Sequence, residues 1–377
     1  MQPTSFCNLD CTYCYLPHRD RRATMRLDVV DAAMRFALQA GLLGSTVEVR
    51  WHAGEPLAVP KHFYTRAFER VARVLGPEIA VEHSVQTNAV LLDAKWVSLF
   101  ARHGVRVGVS IDGPAVVHDE RRRTRRGGGT FERVMRGVAQ LQEHGLPFDV
   151  IAVITPTTLR HAAAFRGFFS GLRGLRELGL NVEESEGNHM SEAFADGNFE
   201  LGYRAFLADL HAWSAESGIV VREFRAMRSM VIFGADGMRN TQNEAFAILT
   251  VGADGNVATF SPELLGMTHP SVHSFSIGNV LNDSSETILR SILLRRLEVE
   301  IERGKSLCRS SCAYFPLCGG GAPVNKLYEN GAFATTETRH CRLVTQAVAD
   351  QVLYMLEREA GLPSRSRETQ HELLAFG

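Results

Sequence analysis

The chain predicts an α/β protein whose larger part is a parallel sheet of about six strands, followed by a smaller cysteine-bearing region. Three observations carry this. Segments of apolar alternation and segments of helical periodicity succeed one another without a break from Arg26 to Glu184, which implies parallel strands joined by right-handed crossovers. Phe148 to Ile154 is apolar except for Asp149, the pattern of a strand covered on both faces. The residues with chemical capacity fall where the expected strands end, at Gly54, Gln86, Ser110, Thr155 and Glu183, which is where parallel barrels place their ligands.

The elements follow in order. Arg26 to Gln39 reads as a helix, with Val30, Met34, Ala37 and Leu38 on one face and Gly41 just past its end. Val47, Val49 and Trp51 alternate with charged neighbours, so a strand precedes the turn at Gly54-Glu55-Pro56. Lys61 to Leu75 is helical, Val81 to Val90 extended, and Asp93 caps the helix that runs through Ala101. Val105 to Ile111 makes a strand, Thr130 caps a helix carrying Val134, Val138 and Leu141, and Thr158 to Leu172 is helical. Leu178 to Val182 ends the series at Glu183-Glu184. A stubby strand before Cys7 brings the count to about six, short of the eight in a closed barrel. Beyond a helix over Glu200 to Ser217, residues 219–245 carry no clear pattern. Ala247 to Val251 and Asn256 to Phe260 form a hairpin, because Asp254-Gly255 supplies the positive φ that a tight turn needs. Glu286 to Arg303 and Val344 to Glu359 are helical, and Pro363 to Gly377 reads as a loose tail. The expected divisions are 1–218 for the barrel, 219–300 for a bridging region, 301–345 for the second cysteine region, and 346–377 for a closing helix and tail.

With 377 residues the chain can bury a substantial core, and 41 Lys and Arg against 42 Asp and Glu leave it nearly neutral. Neutrality argues against a dedicated nucleic-acid binder. The chain has no run of 18 apolar residues and no secretion signal, so it is expected in the cytosol, away from membranes. In that compartment seven cysteines point to metal or catalysis rather than disulfides.

Three of them, Cys7, Cys11 and Cys14, lie on one short loop, and the next cysteine in the chain is Cys308. Three thiolates can hold three corners of a metal cluster and leave the fourth open to a small molecule. A zinc knuckle is the alternative, although structural zinc usually takes four ligands in paired spacing. The other four, Cys308, Cys312, Cys318 and Cys341, can fill all four corners of a second cluster or ligate one zinc.

Cys-x3-Cys-x2-Cys with Tyr13 before the last cysteine closely resembles the cluster loop of radical S-adenosylmethionine (SAM) enzymes. The resemblance implies a partial (β/α)6 TIM-like barrel and a [4Fe-4S] cluster whose free iron is chelated by SAM. It also implies one-electron cleavage of SAM to a 5'-deoxyadenosyl radical, fed by an external donor of the flavodoxin or ferredoxin type. Gly54, Glu55 and Pro56 match the family's SAM-amine motif, while Gln86, Ser110 and Thr155 fall in strand-end segments similar to those that contact SAM. His118-Asp119-Glu120-Arg121-Arg122 resembles a family segment whose arginine corresponds to Arg122. The surrounding run, Arg121 to Arg126, otherwise reads as a solvated loop, with an acidic leader peptide, a SAM carboxylate or RNA phosphate as possible partners.

Cys308-x3-Cys312-x5-Cys318-Gly-Gly-Gly, with Cys341 behind it, resembles the SPASM extension of radical SAM peptide-modifying enzymes. Two-cluster members carry further cysteines where this chain has Ala322 and, after the hairpin, Phe260 and Ser261. The resemblance therefore implies one auxiliary [4Fe-4S] cluster, fully ligated by protein. Trp51 to Leu57, Asn181 to Glu184 and Thr259 to Glu263 look most like maturases that form cyclophanes on ribosomally made precursor peptides. The expected reaction removes a hydrogen from an unactivated carbon, adds that carbon to an aromatic ring, and passes one electron to the auxiliary cluster. Glu183, Glu184 and Glu263 are candidates to take the accompanying proton. The rival readings are a formylglycine-generating sulfatase maturase, an RNA-modifying radical SAM enzyme, and a non-enzymatic iron-sulfur or zinc protein. The precursor would be gripped by the barrel and auxiliary domain directly or by a partner.

Overall fold

The computed structural model describes residues 1–187, 189–233 and 240–362. Its larger sheet has strands β1 (Thr46–Trp51), β2 (Ala80–Thr87), β3 (Arg106–Ser110), β4 (Phe148–Ile154), β5 (Leu175–Val182) and β6 (Val220–Val221), in that spatial order and all parallel. Each crossover through β5 carries a helix, at Lys61–Leu75, Ala94–Arg102, Phe131–Glu143 and Ala162–Ser170, and with the strands in sequential order right-handed crossovers put these helices on one face of the sheet. The helix at Leu27–Gln39 comes before β1 and ends two residues before Gly41, whose φ of +64° lets the chain turn back. Trp51, fully buried, is ringed by Phe63, Tyr64 and Phe68 of one neighbouring helix and anchors that end of the core.

The sixth strand lies elsewhere than expected. Among the described residues none before Cys7 is a strand; instead Val220–Val221 extends the sheet beyond β5, from within the stretch that carries no legible pattern. A two-residue edge strand cannot show alternation, which is why the sequence hides it. The first residues are tied irregularly: His52 N–H donates to Met1 O at 3.1 Å, Gln2 N–H to Val251 O at 2.9 Å, and Met25 N–H to Pro3 O at 2.7 Å. They thereby stitch β1 to the hairpin region.

Two helix signals also resolve differently. Asp93 caps as expected, accepting Trp96 N–H at 2.8 Å. Thr130 stands at the N-cap position of Phe131–Glu143 without capping it, because its hydroxyl donates to Arg122 O at 2.8 Å. Asp119 takes over, accepting the N–H groups of Thr130 and Phe131 at 2.6 and 2.8 Å. Thr158 to Leu172 is two helices, Pro156–Arg160 and Ala162–Ser170, meeting at His161.

The smaller part begins with the hairpin β7 (Leu249–Val251) and β8 (Asn256–Thr259), turned at Gly255 with φ +87°, to which β9 (Gly278–Asn279) adds a third strand. Helix Ile292–Ser311 runs past its expected end and carries Cys308. The chain then bends through Phe315–Cys318 and Pro323–Asn330, and a continuous helical run from Arg339 to Glu359 packs its last part on Phe199–Ser217 and Arg222–Phe233. The expected tail at 363–377 lies outside the described residues. No helix among the described residues is long and apolar enough to cross a membrane.

Candidate functional site

The loop from Cys7 to Cys14 sits over the ends of β1 to β4, and its shape is imposed from outside. Asp10 N–H donates to Arg123 O at 2.8 Å and Thr12 N–H to Arg121 O at 2.9 Å, with Leu9 bridged to Thr124. The backbone of the arginine run is therefore the antiparallel partner of the cysteine loop, although the side chains of Arg123, Arg125 and Arg126 stay exposed. Arg121 and Arg122 are buried. Arg121 grips Glu192, Arg125 donates from Nε to Cys7 O at 2.9 Å, and Arg125 also reaches Arg19 O.

Arg122 is committed inside the protein. Its Nη2 donates to Asp112 Oδ1 at 2.9 Å, with Nε 2.9 Å from Oδ2, and the same carboxylate accepts Tyr13 O–H at 2.6 Å and Val153 N–H at 2.9 Å. Tyr13, just before Cys14, is thus locked to the ends of β3 and β4. Burial works against the Arg122 charge, but Asp112 more than compensates and holds its pKa above the ordinary arginine value.

Gly54 supports the loop from the other side. A Cβ there would lie 2.6 Å from the carbonyl oxygens of both Thr4 and Phe6, so only glycine lets the chain entering Cys7 pass, and its φ is +56°. Glu55 N–H donates to Phe6 O at 2.7 Å. The Glu55 side chain is wholly internal: its carboxylate accepts Thr87 O–H at 2.6 Å, Asn88 N–H at 2.8 Å and Leu57 N–H at 2.9 Å. Burial nevertheless pushes its pKa up to about 6 against those three bonds. Asn88 then reaches Asn8 Oδ1 at 2.8 Å, beside Cys7 Sγ at 3.8 Å.

Of the other strand-end residues, Thr155 is buried and caps the helix Pro156–Arg160. Gln86 and Ser110 remain partly exposed as a pair, Nε2 to Oγ at 3.0 Å, and Gln86 lies over Gly108, where any Cβ would strike its Oε1.

The three thiols are neighbours. Burial, then Glu55 and the other two sulfurs, push Cys7 up to about 12; burial likewise raises Cys11 to about 11, although Arg122 opposes it. Bare thiolates are disfavoured here, so a cationic centre would bind with release of protons. In the second group, Gly320 N–H points at Cys318 Sγ at 3.4 Å, Thr338 N–H at Cys341 Sγ at 3.3 Å, and Lys326 Nζ lies 3.2 Å from Cys308 Sγ. Positive φ at Gly319, Gly320 and Gly321 wraps the turn, and Asn240 and Asn243 hold its carbonyls. Among the described residues no three His, Cys, Asp or Glu side chains converge on a single-ion site. The thiol sets, three and four, fit clusters with three and four protein corners. Phe260 and Ala322 are both buried.

Between the two groups lies a patch of carboxylates. Glu184 accepts Asn325 Nδ2 at 2.8 Å and lies 3.2 Å from His340 Nε2. Partial burial opposes its charge, but His340 prevails and holds it below the usual range. Glu186 is pushed well above that range by burial and then by Glu184 and Glu263, and Glu263 is raised by burial while bonded to Ser261. Glu183 is apart from them: its carboxylate faces His189 Nε2 at 3.0 Å and accepts Ala193 N–H at 3.2 Å, which fixes the segment after β5. Sequence reasoning missed Glu186 and His340. Glu184 and Glu186 lie two residues apart just beyond the end of β5. A groove of about 640 Å³ opens beside them, lined by Ser185, Met190, Glu192, Tyr328, Glu329 and Arg339 among others.

The model of the Radical SAM superfamily matches residues 1–168. The chain is 38% identical over 371 residues to an uncharacterized protein of Synechocystis sp., covering 96% of this chain and 92% of that one. It is 31% identical over 206 residues to the serine-type anaerobic sulfatase-maturating enzyme of Klebsiella aerogenes, covering 52% of this chain but only 50% of that enzyme. Among solved structures, native anSMEcpe with bound AdoMet and Cp18Cys peptide matches with a TM-score of 0.76 at 19% identity, over 96% of this chain and 97% of that one. Streptococcus suis SuiB bound to precursor peptide SuiA matches with a TM-score of 0.58 at 14% identity, over 91% and 75%. At those identities the structures bear on the fold alone.

Proposed function

The chain belongs to the radical SAM superfamily, and on that premise we propose that it is a peptide maturase that joins an aromatic ring to a Cβ carbon in a ribosomally made precursor. Cys7, Cys11 and Cys14 would hold a [4Fe-4S] cluster that binds SAM, and Cys308, Cys312, Cys318 and Cys341 an auxiliary one. When bound, cluster and SAM supply the oxidising power to take a hydrogen atom from an unactivated carbon. The protein's own residues do the rest. Asp112, Arg122 and Tyr13 fix the cysteine loop, Gly54 and Glu55 fix the chain entering it, and the paired amide and hydroxyl of Gln86 and Ser110 are left to contact SAM. The precursor would lie along the groove between Ser185 and Arg339, whose lining includes Ser185, the residue between Glu184 and Glu186.

Once the new carbon-carbon bond has formed, restoring the ring's aromaticity releases one electron, which the auxiliary cluster would accept, and one proton. Glu184, whose pKa His340 holds below the usual range, takes the proton at a carboxylate oxygen, with Glu186 and Glu263, both raised by burial, beside it. What supports this reading against sulfatase maturation is that the chain has Phe260, Ser261 and Ala322 where the resemblance to two-cluster maturases expects cysteines. The similarity to the Klebsiella enzyme favours formylglycine formation as the second reading. Mass spectrometry of the co-expressed precursor separates them. Each crosslink removes two hydrogens and leaves a loop that resists fragmentation, with no aldehyde. A product that reacts with a hydrazide at a serine or cysteine supports the second reading and overturns the first.

A further inference from the structure

Lys326 is 4% exposed, and its ammonium lies inside the protein with two acceptors, Gly304 O at 3.0 Å and Cys308 Sγ at 3.2 Å. A buried charge is tolerated only when paired. Neither contact is a carboxylate, and of the two acceptors only the sulfur of Cys308 can carry a charge opposite the ammonium. The surroundings are shaped to bring the two together. Lys326 sits on the short helix Pro323–Asn330, directly after the glycine turn, and reaches the helix that carries Cys308 at Gly304. A Cβ on Gly304 would lie 2.2 Å from Phe333 O and 3.3 Å from the Lys326 nitrogen, so a larger residue there would displace the helix from the lysine. The other sulfur contacts of this group, at Cys318 and Cys341, come from neutral backbone N–H groups.

We propose that Lys326 is a tuning residue for the auxiliary centre: its fixed positive charge, set against the Cys308 thiolate, biases that centre toward its reduced state. This rests on the reading that the four C-terminal cysteines hold a cluster. A four-iron cluster on four thiolates is anionic and gains one more negative charge on reduction, so a cation at hydrogen-bond distance stabilises the reduced form more than the oxidised one. Because the pair is shielded from solvent, the bias survives at physiological salt.

The test uses the full-length chain, reconstituted anaerobically in a Cys7→Ala/Cys11→Ala/Cys14→Ala background so that only the auxiliary centre remains. Midpoint potentials are read by electron paramagnetic resonance during a redox titration, alongside iron and sulfide content. Lys326→Met and Lys326→Gln should keep about four irons. Their redox equilibrium should shift at least tenfold toward the oxidised form, about 59 mV lower for one electron. Lys326→Arg, which keeps the charge, should stay near the parent. Equal potentials in all three variants would overturn the proposal. So would loss of iron from both neutral variants with retention in Lys326→Arg, which would make the charge a requirement for assembly and not a tuning device. A parent that holds no iron at this site would instead defeat the two-cluster reading itself.

Discussion

Gly54→Ala offers the sharpest check on how the cysteine loop is held, because Gly41→Ala is a matched control. Both glycines are left-handed, with φ of +56° and +64°, so each alanine carries the same backbone strain, about 1–2 kcal/mol. At Gly41 nothing lies within 4 Å of the added methyl, whereas at Gly54 it meets Thr4 O and Phe6 O at 2.6 Å and Ser5 C at 2.9 Å. A carbon and a carbonyl oxygen settle near 3.3 Å, so residues 4–6 must retreat by roughly 0.7 Å. That retreat is overpacking of a rigid site and costs a further 1–3 kcal/mol or so. It also breaks alignment of the Glu55 N–H bond to Phe6 O and moves the residue next to Cys7. Denaturant unfolding of the metal-free proteins should show Gly54→Ala less stable than Gly41→Ala by that 1–3 kcal/mol margin. Iron analysis after reconstitution should show loss of about four irons only in Gly54→Ala. Equal stability and equal iron in the two variants would refute the argument that the N-terminal segment and this glycine define the loop.

Arg122→Met should destabilise the metal-free protein by about 3–5 kcal/mol in denaturant unfolding, because it strands the buried Asp112 carboxylate, whereas a residue reserved for a ligand would leave that stability unchanged. Glu184→Gln should slow crosslinking on the order of 100-fold in a precursor time course with folding preserved, while Glu183→Gln should lower thermal stability by about 1–3 kcal/mol through the loss of an acceptor for Ala193 N–H and His189. The Glu184–His340 pair predicts a pH window. His340 is raised above 6.5, so its contribution is complete below that value and fades as pH climbs through its folded pKa; Glu184 is lowered below 4.5, so its contribution is complete above 4.5 and fades only at more acid pH. The stability difference between the parent and His340→Gln should therefore be largest between about pH 4.5 and 6.5 and shrink above it, and a difference independent of pH would count against the pairing.

How much of this was legible follows from the range of the forces involved. Local patterns read well: the helix Lys61–Leu75 matches residue for residue, and β1, β4 and the 249–259 hairpin fall where alternation and turn chemistry put them. The two cysteine groups stand out in the sequence through their short spacings. What failed were readings that depend on a distant partner. Arg121 to Arg126 is a run of charge along the chain, yet its backbone pairs with residues more than a hundred positions earlier, and no local rule distinguishes that from a solvated loop. Thr130 looked like a cap because its type and place were right; that its hydroxyl turns to Arg122 is settled by the loop packed above it. Glu183, Glu184 and Glu263 were grouped by their position at strand and hairpin ends, but only tertiary contacts separate the structural carboxylate from the other two.

The same contacts explain why one segment serves two ends. Asp112 closes β3, accepts Tyr13 from the cysteine loop and holds Arg122, and the chain following Arg122 returns along the loop to hold Cys7 O through Arg125. Arg121, one residue earlier, reaches out to Glu192, which also lines the groove. A displacement of the 121–125 segment must therefore be felt both at the first thiol and at the groove wall. Glu192→Gln, a change at the exposed end of this chain of contacts, keeps the helix but removes the ion pair, and its effect on iron retention measures how far the two are coupled. If the groove and the loop are mechanically joined through Arg121, the variant loses iron faster under chelator than the parent; if iron loss is unchanged, the two ends are held independently and the loop owes its shape to Asp112 and Gly54 alone.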